Sequence, residues 1–414
     1  MSKLEIVELD NGLKVYLIND NTKHTTYMNL IVKYGGIDNE FIFDNKKYKI
    51  KNGMAHFIEH LVLESSVYGD LMEMFGRMGI RSNGITSIDK TQYYVDTVDH
   101  IYDSLKVLIK GIHNTVISED IIHNIKLPIL EEKRRSLDNK YSVLYNKSIN
   151  SVMDNKKFNT VLGDLKEIES INIKNVKLCL EAFYRPKNEI IVIGGRFDRD
   201  KILDVIKSTY NDLKFSDKEL VKVREKHREK VNNKKGVLKV NTGIGRTLLT
   251  FKLNTIDMSP LDKLKLDLYL FCYLRMNFGI MSKMYKIMLE DGIVNGGIGF
   301  SNNMLEGYHV VRIEADTNES RLFSNRILNY FTDKKYIYDE ELFNLYKRNY
   351  IIDLITRTDS IYDMVDPLID NIISYDYHEL DSLEVWNSLN YKEFKKYIKL
   401  LNFNNYSILE LKQI

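Results

Sequence analysis

The sequence predicts an α+β protein of two similar domains, each a mostly antiparallel sheet packed with helices. Three observations carry this. Apolar residues recur with the two-residue period of half-buried strands in some stretches and with helical spacing in others. A comparable succession of strands and helices returns in the second half of the chain. Its 414 residues exceed what a single hydrophobic core usually serves, so two cores are expected.

Residues 4–20 alternate apolar and polar side chains about Asp10-Asn11-Gly12, a two-strand hairpin signal. Residues 29–33 read as a third strand ahead of Gly35-Gly36. Helical spacing runs over 53–63; Arg81-Ser82-Asn83-Gly84 has turn composition, and 92–98 returns to strand composition. Residues 103–115, 118–152 and 173–183 are helical in pattern, with Pro128 expected to kink or restart the second of these. Residues 189–193 form a buried strand ending at Gly194-Gly195. Apolar residues then thin out and charge dominates, as an exposed connector requires. The domains are therefore placed at 1–213 and 237–414, joined by a charged linker over 214–236. Beyond it, 237–240 and 247–253 read as strands, 260–276 as a long apolar helix and 308–315 as a further strand.

Composition narrows the function classes. Hydrophobic content of 44% and charged content of 29% are those of an ordinary globular protein. A formal charge of +2 gives no field with which to gather phosphate backbones or anionic lipid, so neither nucleic acid nor a membrane surface is the expected partner. The basic run in the linker is interrupted by Glu225 and Glu229 and carries no aromatics that would stack on bases. Cys179 and Cys272 both sit in apolar stretches, the usual setting of buried thiols in a reducing compartment. The first residues lead into an alternating segment instead of an apolar run with a cleavage site. The apolar cluster at 266–274 is broken by Asp267 and far short of the ~20 residues of a spanning helix. A cytoplasmic location is expected.

The chemistry is concentrated in Gly53-Met54-Ala55-His56-Phe57-Ile58-Glu59-His60. Histidines four residues apart on a helix project from one face, within reach of a single metal ion. Glu59 shares that face, and a carboxylate beside the second histidine can stay off the metal and take a proton from an attacking water, as amide hydrolysis requires. The order of residues reverses the common zinc-protease helix motif. If His56, Glu59 and His60 merely packed at a helix–sheet interface, each would need its own buried partner, since unpaired buried polar groups are costly. A catalytic zinc needs a third protein ligand. The helical segment Leu127-Pro128-Ile129-Leu130-Glu131-Glu132-Lys133-Arg134-Arg135 offers Glu131 and Glu132, which point about 100° apart, and spacing alone does not choose between them.

This arrangement resembles the pitrilysin or insulinase (M16) family of metallopeptidases. Leu9-Asp10-Asn11-Gly12-Leu13 is similar to that family's early strand turn, and Tyr34-Gly35-Gly36 to its glycine-bearing strand end. Asn83-Gly84-Ile85-Thr86-Ser87 resembles its Asn-Ala-x-Thr-Ser edge strand, and Tyr184-Arg185-Pro186 through Gly194 its Tyr-x-Pro turn into a strand. The resemblance implies the pitrilysin-type, LuxS-like metallohydrolase fold and one Zn2+ per chain, held by His56, His60 and a glutamate some seventy residues further on, which is Glu132, with Glu59 as base. It also implies that Asn83, Gly84, Ile85 and Thr86 hold an extended peptide by strand addition. Asn83 reads equally well as a left-handed turn residue.

Two departures bear on function. Many relatives carry a supporting glutamate seven residues before the ligand glutamate, where this chain has Ile125. Relatives active as single subunits also carry an Arg-Glu-x-x-Gly-x-x-Tyr segment that grips substrate, where this chain reads Met288-Leu289-Glu290-Asp291-Gly292-Ile293-Val294-Asn295. In this it resembles the zinc-bearing member of bacterial two-subunit systems, in which a paralogous partner carries the Arg and Tyr. The expectation is a zinc-dependent endopeptidase subunit of a heterodimer, cleaving peptides in an enclosed chamber, with a role in peptide-precursor maturation. The alternatives are a self-sufficient homodimer and a non-catalytic peptide-binding or assembly subunit of the same fold.

Overall fold

The computed structural model describes residues 4–153, 161–224, 229–232, 234–332, 339–357, 360–378 and 382–414. The chain forms two compact units: Met1–Ser136 with Thr160–Glu225 and Arg357–Ile369, and Leu137–Asn159 with Lys226–Thr356 and Asp370–Ile414.

The first unit is built on strands β1 (Leu4–Glu8), β2 (Lys14–Asn19), β3 (Thr26–Val32), β4 (Glu40–Phe43), β5 (Lys46–Lys49), β6 (Arg81–Thr86), β7 (Thr91–Thr97), β8 (Glu189–Gly195) and β9 (Leu220–Lys222). Six of these form one sheet in the order β1-β2-β8-β3-β7-β6, while β5-β4-β9 make a small second sheet. Only β2 and β8 run parallel in the large sheet; its other pairs are antiparallel. β3 and β8 are central and buried at every position, so apolar residues predominate on both faces instead of alternating with polar ones. Helices α1 (Met54–Glu64), α2 (Leu71–Arg77), α3 (Ile101–His113), α4 (Glu119–Asp138), α5 (Lys140–Val152), α6 (Leu165–Glu169), α7 (Ile173–Phe183) and α8 (Arg199–Asn211) follow in chain order. Apart from α5, which belongs to the second unit, they complete a core that includes Met54, Phe57, Leu61, Tyr93, Ile109, Ile129 and Phe183.

The second unit carries β10 (Lys235–Val240), β11 (Arg246–Asn254), β12 (Ile298–Leu305), β13 (Tyr308–Asp316) and β14 (Tyr406–Gln413) in the order β10-β14-β11-β13-β12. β10 and β14 are parallel and the remaining pairs antiparallel. Counted along the chain, the spatial order is first, fifth, second, fourth, third. β2, β3, β6, β7 and β8 of the first unit follow the same order with the same single parallel pair. The two units are thus alike in topology, as the fold class expected. A second core, centred on Phe251, Tyr273, Phe331 and Phe394, lies under this sheet.

Three local expectations are corrected. Residues 81–84 have turn composition but form β6, paired along its whole length with β7; the reversal comes at 87–90, where the Ser87 and Lys90 backbones bond at 2.8 Å. Pro128 stays inside α4, whose buried Ile122, Ile125 and Ile129 hold it together by packing. The break falls at Asn139, whose side chain accepts from the Tyr141 and Ser142 N–H groups and caps α5. Part of the expected connector is structural: β9 adds to β4, and Lys222 and Arg224 bring their charges to the fully buried Asp38, at 3.4 and 2.6 Å. Residues 225–228 of the charged run lie outside the described residues. Among the described residues no helix is long and apolar enough to cross a membrane.

Gly53 starts α1 with a left-handed φ of 84°. A Cβ there would sit 2.5 Å from the Leu162 carbonyl oxygen. Gly53→Ala therefore meets both backbone strain and a clash, and should lower stability by about 2 kcal/mol, read from urea or thermal unfolding.

Candidate metal centre

Helix α1 is buried nearly all round: Met54, Phe57, Ile58, Leu61 and Val62 are sealed in the core. The face left to its polar residues carries His56, Glu59 and His60, spaced three and four residues apart. The two imidazoles meet edge to face, ring centroids 4.8 Å apart. From α4, Glu132 reaches the same point, its Oε2 3.4 Å from His56 Nε2 and 3.9 Å from His60 Nε2. Donor atoms of these three residues all lie within 4.8 Å of one another. The neighbouring Glu131 turns away, 62% exposed and paired with Arg134. The 100° step between adjacent helical residues separates the two glutamates, and the fold brings only Glu132 to the histidines.

The donor set fits a zinc ion. Ligand atoms about 2.0–2.1 Å from a tetrahedral centre stand roughly 3.4 Å apart; the His56–Glu132 pair meets this at 3.4 Å, and all separations in the group stay within 4.8 Å. Burial, with a smaller contribution from the His60 imidazole, drives His56 down to about 3, so it is a neutral ring with a lone pair to offer. Burial opposes charge on His60 as well, yet its hydrogen bond to Glu64 and the carboxylates of Glu59, Glu64 and Glu132 leave its pKa raised. Two imidazoles and a carboxylate are donors that zinc takes.

Glu59 stands beside this cluster without joining it. Its Oε2 accepts a 2.7 Å hydrogen bond from the Thr86 hydroxyl of β6. Burial pushes its carboxyl up and the Thr86 bond opposes the shift, which brings the group toward the range of a general base. Gly84 is what lets β6 come so near: a Cβ there would lie 2.9 Å from Glu59 Oε1 and 2.7 Å from a Leu63 methyl. The whole group opens into a cavity of about 450 Å3 walled also by Ile85, Met72 and Leu162. Two larger clefts, of about 550 and 750 Å3, lie away from it beside residues 212–220.

The other residues singled out in the sequence fall as follows. Asn83 is in β6, opposite Tyr94, and not in a left-handed turn; its Oδ1 accepts from the Gly84 N–H. Side chains of β6 alternate, with Arg81, Asn83 and Ile85 exposed and Ser82, Gly84 and Thr86 half-buried. Thr86 thus faces Glu59, while Asn83 and Ile85 face outward from an edge strand. Ile125 is buried in the core. Residues 288–295 lie in the second unit, where Met288, Ile293 and Val294 join its core. Sequence reasoning missed the part of Glu64, whose Oε1 is 2.9 Å from His60 Nδ1; its four-residue spacing from His60 is the signal that marks it.

Comparison with known proteins agrees with this fold. Residues 14–164 match the family model described as Insulinase (Peptidase family M16), and residues 170–350 match the one described as Peptidase M16 inactive domain. The chain belongs to peptidase family M16 and is zinc-protease-like. It is 26% identical over 316 residues to the uncharacterized zinc protease YmfH of Bacillus subtilis, covering 75% of this chain and 74% of that protein. To the zinc protease PqqE of Helicobacter pylori it is 26% identical over 228 residues, 53% of this chain and 50% of that one. An M16-like peptidase from Alicyclobacillus acidocaldarius shares the fold at a TM-score of 0.91 and 19% identity, over 100% of this chain and 99% of that one.

The raised Glu59 carboxyl has a measurable consequence in metal-free protein. A carboxyl whose folded pKa lies above its unfolded value binds its proton more tightly when folded, so its contribution to stability declines as pH climbs from the unfolded pKa to the folded one. Metal-free Glu59→Gln should melt above wild type at pH 7, the two converging near about pH 4; thermal scans across pH measure this.

Proposed function

We propose that this chain is a zinc metalloendopeptidase subunit in which His56, His60 and Glu132 hold one Zn2+ and Glu59 is the general base. The observation that carries the reading is the convergence of His56 Nε2, His60 Nε2 and Glu132 Oε2 beside a buried carboxylate that is not a donor to that group. Zinc, when bound, supplies Lewis-acid activation of water. Glu59, fixed by Thr86, accepts the proton released as water attacks and can return it to the leaving amine. The exposed edge of β6, at Asn83, Gly84, Ile85 and Thr86, offers backbone groups to an extended peptide along the rim of the same cavity. In this reading the first unit, which holds most of the expected 1–213 domain, is catalytic, and the second, which holds most of 237–414, is its structural counterpart.

A paralogous partner is part of the proposal. The segment at 288–295 contains neither arginine nor tyrosine, so a residue that grips the peptide and its developing oxyanion must come from elsewhere. Among the relatives is the mitochondrial-processing peptidase subunit beta of Bos taurus, 24% identical over 209 residues, 49% of this chain and 41% of that one, whose name marks it as one subunit of an assembly. Peptide-precursor maturation in the cytoplasm is the role we assign to such a pair. The match of residues 170–350 to a domain described as inactive favours a second reading, a peptide-binding subunit without catalysis.

Purified protein should bind about one zinc per chain, and His56→Ala should lose it. Mixed with a paralogue that carries the Arg and Tyr, it should cleave a quenched fluorescent peptide library. Glu59→Gln should keep the zinc while cleavage falls about 10²- to 10⁴-fold. Undiminished cleavage by Glu59→Gln would exclude the mechanism. Zinc binding with no cleavage in any pairing would favour the non-catalytic reading, and full cleavage by the chain alone the homodimer.

A further inference from the structure

Glu64 is the last residue of α1, at the helix end where unpaired carbonyls gather negative charge, and no basic residue occupies that turn. A carboxylate is disfavoured there, so helix stability does not account for it. Its position does: four residues after His60, its Oε1 lies 2.9 Å from His60 Nδ1. A neutral imidazole carries its proton on one nitrogen only. With the proton on Nδ1 and donated to Glu64, Nε2 is left as a lone pair on the side of the ring that faces Glu132 Oε2, 3.9 Å away.

Among the described residues no other carboxylate bonds to the Nδ1 of either imidazole. Position 125, on the same helix as Glu132, is a buried isoleucine in the core. His56 Nδ1 is buried and has no hydrogen-bond partner among the described residues. The orientation of the two imidazoles therefore depends on the His60–Glu64 bond and on packing.

We propose that Glu64 is a positioning residue of the metal centre, accepting the His60 Nδ1 proton and so fixing the tautomer that offers Nε2 to zinc. The proposal rests on the reading that His56, His60 and Glu132 hold that ion. Outer groups of this kind are worth about 10- to 100-fold in metal affinity. Glu64 is 42% exposed, which places the effect toward the lower end.

Full-length, metal-free protein is titrated with zinc against a chromophoric chelator, comparing wild type with Glu64→Ala, Glu64→Gln and Glu131→Ala. Glu64→Ala should bind zinc about tenfold more weakly, while its metal-free melting temperature stays near that of wild type. Glu64→Gln should recover most of the affinity, because the amide oxygen still accepts from Nδ1. Glu131→Ala, one helical step from the site and turned outward, should bind as wild type does. Unchanged affinity in Glu64→Ala, or a loss in Glu64→Gln as large as in Glu64→Ala, overturns the positioning role while leaving the zinc site intact. Failure of wild type to bind zinc overturns both.

Discussion

The hydrogen bond between Glu59 and Thr86 is the contact on which the arrangement of the site depends. It joins the helix that carries the histidines to the edge strand of the large sheet. The two can approach so closely only because Gly84 has no side chain to interpose. Strand geometry does the rest. With a two-residue period, the inward direction of Gly84 and Thr86 forces Asn83 and Ile85 outward, so one strand supports the candidate base with one face and presents an open edge beside it.

Keeping such a group of polar side chains in a protein interior is costly, and the surroundings show what offsets it. Met54, Phe57, Ile58, Leu61 and Val62 of the same helix are fully buried. Each apolar side chain so buried is worth roughly 1.5–3 kcal/mol. That is enough to carry His56 and Glu59 into a setting where neither is comfortable as an ion. The result is a neutral imidazole and a carboxyl with raised proton affinity, side by side, a state the isolated residues would not adopt in water. Stability is given up in shifting these proton affinities, a pattern that clusters at functional sites.

Much of this was readable in the amino-acid order. The spacing of His56, Glu59 and His60 places them on one helical face by geometry alone, and the hairpin about Asp10-Asn11-Gly12 follows from turn chemistry. What escaped reading depends on distant chain. Composition at 81–84 signals a turn, but six residue pairs with β7 outweigh it. Pro128 has the local properties of a helix breaker, and three buried isoleucines override them. Lys222 and Arg224 resemble a solvated run because their counter-ion, Asp38, is more than 180 residues away in sequence. Spacing alone leaves Glu131 and Glu132 open for the same reason, and the resemblance selects Glu132: a sequence fixes the angle between them, and the approach of α4 to α1 brings Glu132 to the histidines.

The two units are not consecutive stretches of chain. Residues 137–159 complete the second unit although they are flanked by chain of the first, and 357–369 return to the first from within the second. The returning segment is integral: Ile361 and Val365 lie against Gly194 of the central strand, and Tyr362 bonds to Asp96 of β7. Each half therefore borrows part of its interior from the other's stretch of sequence. A ribosome completes the first unit only after most of the second has been made, and a cut at the junction would leave two fragments that each lack a piece of their own core. Although the strand order is duplicated, neither half of the sequence contains the whole of its own unit.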